Sequence, residues 1–282
     1  MSGKDSSVFF SNSLQEALAS LKNIPGIRPV GGCLGFIYGN LDRVLHLPER
    51  LLTLNGIPEL TAINKTERHI EFGAAVTIRS ILNLGEKNIP PVLYRALKSI
   101  GNPSVRALVT IGGNLAPVHF HYAASAPLLA LDAKLEIRQG TETRMVSLNH
   151  YFSAAHGSAS EESRTPELIT KVRVPTDGWD VSIFRRTGKP GMITEDTGFF
   201  VFLVKTQKNI LSDLRVAWAS DCFFRNREFE NLTIGKTLPL SEREIDSLLN
   251  RAGEYTAAEL PAGSYKHRCF FNYLESAFRV LS

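Results

Sequence analysis

"VTIGGNLAP" (residues 109–117) sets the problem of this chain. A β-branched pair, Val109 and Thr110, runs through Ile111 into two adjacent glycines, an asparagine and an apolar pair. A second doublet, Gly31-Gly32, follows the extended stretch "IRPV" and is itself followed by Gly35. Glycine lets a backbone turn sharply and lets another group approach the main chain closely. Successive amides in such turns form an anion-binding nest. Two nests at the ends of two strands would clamp one pyrophosphate, with Asn114 adding a side-chain amide. Two tight turns without a ligand are the plainer reading of either doublet alone. The spacing fits neither a dinucleotide fingerprint nor a phosphate-binding P-loop, because neither GxGxxG nor GxxxxGK[ST] is present.

Around these doublets the sequence reads as an ordinary globular chain. Its 282 residues exceed one typical domain, and 43% are hydrophobic against 21% charged. The net charge of +4 comes from scattered lysines and arginines, which gives no nucleic-acid stripe. No apolar run approaches the roughly 18 residues of a membrane span, and the polar N-terminus lacks a secretory pattern. A cytoplasmic protein is expected. The three cysteines, Cys33, Cys222 and Cys269, are widely spaced and form no CxxC, so neither a disulfide framework nor a cysteine-held metal or iron–sulfur cluster is expected.

Local patterns place the elements. Leu14, Ala17, Leu18 and Leu21 share a helical face behind Ser13 as N-cap. "RVLHL" (43–47) reads as a buried strand, and "HIEFGAAV" alternates before a helix capped by Thr77. "PPVLYRALKSIG" is a helix with Pro91 in its first turn and Gly101 after its end. "PLLALDA" is a short apolar helix, "LEIRQGTETRMVSL" a hairpin turning near Gly140, and "ELITKVRVP" a further strand. Residues 157–165 form a polar connector. Three successive strands follow without helices between them, and two helices close the chain, the first with a Ser241/Glu244 capping box. Strands first and helices after predict a separate α+β domain.

Taken in order, these segments resemble the FAD-binding subunit of the molybdenum hydroxylases, the group of xanthine dehydrogenase and carbon monoxide dehydrogenase. The similar segments are "VGGCL" (30–34), "FGAAVT" (72–77), "NPSVRALVTIGGN" (102–114), "PLLALDA" (127–133), "SIFRRTGKPGM" (182–192) and "GSYKHRCFFNYLESAF" (263–278). The resemblance covers nearly the whole chain. It implies an α+β protein: a two-subdomain FAD-binding α/β fold over 1–177, divided near residue 60, followed by an antiparallel-sheet-plus-helices domain over 178–282. It implies FAD held by Val30, Gly31, Gly32, Cys33, Leu34, Gly35 and Phe36 on one side, by Thr110, Ile111, Gly112, Gly113 and Asn114 on the other, and by Arg185. Electrons would come from a molybdopterin-binding subunit and a 2Fe-2S subunit and leave to NAD or another acceptor.

Several positions depart from the family. Cys33-Leu34 replaces a polar pair, Ala123 stands where an Asp holds the ribose, and Pro190 falls where an Arg is expected. These departures keep an alternative open: a structural subunit of the same complex that has lost or weakened its flavin. A free-standing flavin enzyme is the third reading, against which the tail's likeness to a complex-forming family counts. His119 and His121 would share a strand face, although a third metal ligand is missing. Tyr265, Lys266, His267 and Arg268 make a basic helix start. No acid–base or nucleophilic residue is nominated, since a flavin carries its own chemistry.

Overall fold

The computed structural model describes residues 6–35, 47–117, 119–156 and 167–282. Phe36, most of the expected strand at 43–47 and the whole of the polar connector lie outside them. In chain order the elements begin β1 (Ser7–Phe10), α1 (Leu14–Asn23), β2 (Ile27–Val30), β3 (Arg50–Thr53), α2 (Pro58–Thr61), β4 (Ile63–Lys65), β5 (His69–Gly73) and α3 (Ile78–Leu82). Next come α4 (Pro91–Lys98), α5 (Pro103–Leu108), α6 (Ile111–Leu115), α7 (Ser125–Ala130), β6 (Lys134–Gln139), β7 (Glu142–Ser147), α8 (Leu148–His156) and β8 (Leu168–Pro175). The tail contains β9 (Val181–Arg186), β10 (Phe199–Gln207), β11 (Ile210–Ala219), β12 (Phe223–Phe224), α9 (Arg227–Asn231), α10 (Glu242–Thr256) and α11 (Tyr265–Phe278).

The chain divides into two compact units. The first takes residues 1–85, 101–118 and 132–176; the second takes 86–100, 119–131 and 177–282. Two short pieces of the N-terminal half, containing α4 and α7, therefore belong with the tail.

The first unit holds two sheets. One is parallel, in the order β1-β3-β2. Parallel strands of one sheet need a crossover, and α1 supplies the one from β1 to β2, which flank β3. Ser13 caps α1 by accepting from the Glu16 amide, and its buried stripe of Leu14, Ala17, Leu18 and Leu21 packs with Leu52, Ile57 and Leu60. The other sheet is antiparallel, in the order β4-β5-β8-β6-β7. Gly140, at φ +59°, closes the β6–β7 hairpin.

The second unit is built on an antiparallel sheet ordered β12-β11-β10-β9. Phe200, Phe202, Val216 and Trp218 share a core with Ile245 and Leu248 of α10 and with Phe270, Leu274 and Phe278 of α11. The rings meet edge to face, Phe202 on Phe278 at 5.4 Å and Trp218 on Phe270 at 6.0 Å. A Cβ at Gly198 would lie 2.2 Å from the Trp218 ring, so only glycine leaves room for the indole. α4 packs on β9, and α7 on β10 and β11. Buried Glu230 accepts from the Val216 amide and from Arg225 Nε, and Arg225 donates to the Leu129 carbonyl of α7. Burial pushes the Glu230 carboxyl up, against the pull of Arg225 and Arg227. The capping box opens α10 as the spacing predicts.

Candidate functional site

Both glycine segments lie in the first unit, and they touch. A Cβ on Gly31 would sit 2.6 Å from Thr110 Oγ1, and one on Gly32 would sit 1.8 Å from the Leu108 carbonyl oxygen. The doublet at 31–32 thus lets two backbones approach where any side chain would collide.

The second segment corrects the two-nest expectation. Thr110 is extended and bridges Thr77, but Ile111 begins a short helix rather than an open loop. Thr110 caps that helix, its hydroxyl accepting from the Gly113 amide at 3.1 Å. Asn114 N–H donates to the Thr110 carbonyl, Ile111 N–H to Val76 and Gly112 N–H to Ala74. All four amides from Ile111 to Asn114 are therefore engaged by the protein. Gly112 itself is a packing glycine, because a Cβ there would lie 2.7 Å from that of Ala74. Gly113 is more open, its Cβ position meeting only the Thr110 hydroxyl at 2.9 Å. Asn114 is buried.

The first segment is different. β2 ends at buried Val30, Asn55 donates to the Gly31 carbonyl, and Cys33 takes a left-handed φ of +58° before residues 34 and 35 turn helical. The amides from Gly31 to Gly35 meet no acceptor among the described residues. A Cβ on Gly35 would meet none of the described residues within 4 Å. The segment is half-buried to exposed and carries no ionisable group other than the Cys33 thiol. It is a row of neutral donors, suited to an anion's oxygens.

The platform beneath the second segment was not evident from its own residues. Residues 73–77 carry it: Ala74 N–H donates to the Thr170 carbonyl, Ala75 N–H to Leu60, and a Cβ on Gly73 would lie 2.3 Å from the Leu60 oxygen. The small-residue run "FGAAVT" is the sequence signal for this crowding.

Arg185 belongs to the second unit, exposed on β9, with a guanidinium N–H donating to the Phe184 carbonyl. Its neighbour Arg186 is half-buried and donates to the Met192 carbonyl; burial pulls its pKa down. Ala123 is buried in the same unit, just before α7. Residues 119–124 form no strand, so His119 and His121 do not share a strand face; His121 is buried, its ring edge-on to Phe223. Lys266 pairs with Asp221 at 2.7 Å.

The profile of the family described as "FAD binding domain in molybdopterin dehydrogenase" matches residues 4–177. The glyceraldehyde dehydrogenase medium chain of Sulfolobus acidocaldarius is 28% identical over 233 residues, 80% of each chain. The carbon monoxide dehydrogenase medium chain of Hydrogenophaga pseudoflava is 27% identical over 177 residues, 60% of this chain and 58% of that one. Among solved structures, the reconstituted CO dehydrogenase of Oligotropha carboxidovorans superposes with a TM-score of 0.81 at 19% identity, over 100% of this chain and 97% of that chain. The likeness runs through both units and fixes the fold. The chain belongs to the family of FAD-binding domains of the molybdopterin dehydrogenases and is a flavoprotein oxidoreductase subunit of the molybdenum hydroxylase type.

Proposed function

We propose that this chain is the electron-transfer subunit of a heteromeric molybdenum hydroxylase, receiving electrons from a 2Fe-2S subunit that is reduced by a molybdopterin-binding subunit. NAD or another acceptor takes them onward. The observation that carries this reading is the row of amides at residues 31–35 that meet no acceptor among the described residues, in a chain of an FAD-binding family. FAD, when bound, supplies the redox chemistry. The protein supplies binding: the amides of 31–35 take the pyrophosphate oxygens, and residues 110–114 form the wall that holds that segment in shape. The Thr110 hydroxyl oxygen accepts from Gly113 and keeps its own proton to donate. Arg185 is a candidate for the flavin end.

Titrating cofactor-free protein with FAD, read by quenching of flavin fluorescence, tests this. Wild type binds saturably. Gly35→Val, which meets none of the described residues, loses that binding while melting normally. Gly113→Val reads whether the pyrophosphate also lies against the second segment. Ala123→Asp restores the acidic residue the family carries there; a charged hydrogen bond of about 1.5–3 kcal/mol tightens FAD roughly ten- to a hundredfold. Absence of binding by both wild type and Ala123→Asp leaves the structural-subunit reading instead.

A further inference from the structure

The first unit contains a cavity of about 640 Å³, within the range of small-molecule sites. The first turn of α1, together with α2, β4, β6 and β8, lines it, and no described residue of 30–35 or 110–114 does. Its chemistry comes from an irregularity in the sheet. Glu136 pairs with Lys171, but the next residue, Ile137, pairs with Ile169. Thr170 is thus an extra residue on β8, a bulge that re-aims its neighbours. In consequence Thr170 Oγ1 donates to Glu136 Oε1 at 2.7 Å, and Lys171 Nζ lies 3.3 Å from Glu136 Oε2. From the same strand as Glu136, Arg138 Nε approaches Oε1 at 3.5 Å.

Two cations therefore share Glu136, one positive charge in excess around that carboxylate, while Glu59, exposed at the opening, brings the formal charge of the whole lining to zero. The Glu136 carboxyl is ionised: burial pushes its pKa up, but Thr170, Lys171 and Arg138 outweigh that and hold it below the ordinary range. Arg138 Nε is shielded from solvent and makes no hydrogen bond among the described residues. The N-terminal turn of α1, at Ser13, Leu14 and Gln15, adds its positive dipole end. Glu59 and Asn64, both exposed, bring acceptors and a donor to the opening.

We infer that this cavity is a second ligand site, which takes a small hydroxylated organic anion. Arg138 and Lys171 hold its carboxylate or phosphate, and Gln15, Glu59 and Asn64 take its hydroxyl groups. Glu136 competes with the ligand for the two cations, so its removal strengthens binding. The site stands independently of the flavin reading.

Isothermal titration of the full chain with glycerol 3-phosphate, glycerate and glycerol is the test, with and without saturating FAD. Glycerol 3-phosphate or glycerate binds saturably, whichever the site prefers, and glycerol does not. FAD leaves that binding unchanged. Lys171→Gln weakens it about tenfold, as does Arg138→Gln, through loss of a charged hydrogen bond. Glu136→Gln tightens it, an effect that damage to the fold does not produce. No saturation by either anion up to about 10 mM overturns the inference. So does binding that FAD displaces and Lys171→Gln spares, which places the anion on the flavin loop. Weakening in Glu136→Gln overturns it as well.

Discussion

Two glycine doublets lie against each other in the first unit, and their amides have opposite fates. At residues 110–114 every amide after Thr110 is taken up by a carbonyl or by the capping hydroxyl, and Gly112 is small because Ala74 lies beneath it. At residues 31–35 the amides have no acceptor among the described residues, and a Cβ on Gly35 would meet none of those residues. A glycine is selected either so that protein can approach or so that a ligand can. The direction of the missing Cβ and the destination of each N–H separate the two cases. Gly31 and Gly32 combine both, since they press on Thr110 and Leu108 while their amides meet no acceptor among the described residues.

Substitutions along the two segments break or sharpen this contrast. The largest effect belongs to Gly32→Val. Its side chain starts 1.8 Å from a backbone oxygen that has no rotamer by which to move away. Urea unfolding should show a loss of about 3 kcal/mol or more, the upper range of overpacking. Gly112→Ala presses on Ala74 and costs about 1–3 kcal/mol. Ala74→Gly in the same chain recovers part of it, and a double-mutant cycle measures the coupling. Thr110→Val keeps the volume beside Gly31 but removes the N-cap, at about 1 kcal/mol by thermal melting. Gly35→Ala changes stability by less than about 0.5 kcal/mol. A comparable loss there would show that residues 31–35 are packed by protein after all.

The last effect is a pH dependence. Glu136 holds Thr170, whose carbonyl accepts from Ala74, and Ala74 in turn accepts from Gly112. Its folded pKa is depressed, so its contribution is present above the unfolded value and is lost as pH falls through the folded one. Acid titration of the first unit should carry this limb in wild type and lack it in Glu136→Gln.

What the sequence made legible was local. The Ser13 and Ser241 caps and the Gly140 turn depend on neighbours within a few residues, and each appears where expected, as does the antiparallel run from β9 to β11 that the strand-after-strand pattern predicts. The fate of the 111–114 amides depends on carbonyls at Ala74 and Val76, more than thirty residues upstream, which no reading of "TIGGN" contains. The Thr170 bulge was equally hidden, because "LITKV" reads as a regular strand and only its pairing with β6 reveals the extra residue. The grouping of 86–100 and 119–131 with the tail is likewise a matter of packing, of α4 on β9 and α7 on β10 and β11.

The void left by Gly198 has an optical consequence. It admits the indole of Trp218, which is fully buried and donates its N–H to Ser220 at 3.0 Å. The chain has only one other tryptophan, Trp179, whose ring lies under the Lys205 ammonium at 4.7 Å. Both belong to the second unit. Indole emission is therefore a private reporter of that half, blue-shifted while Trp218 stays dry, whereas far-ultraviolet dichroism averages over the whole chain. Melts followed by the two signals coincide only when the halves unfold as one cooperative block. A gap between them shows that the first unit unfolds apart from the second.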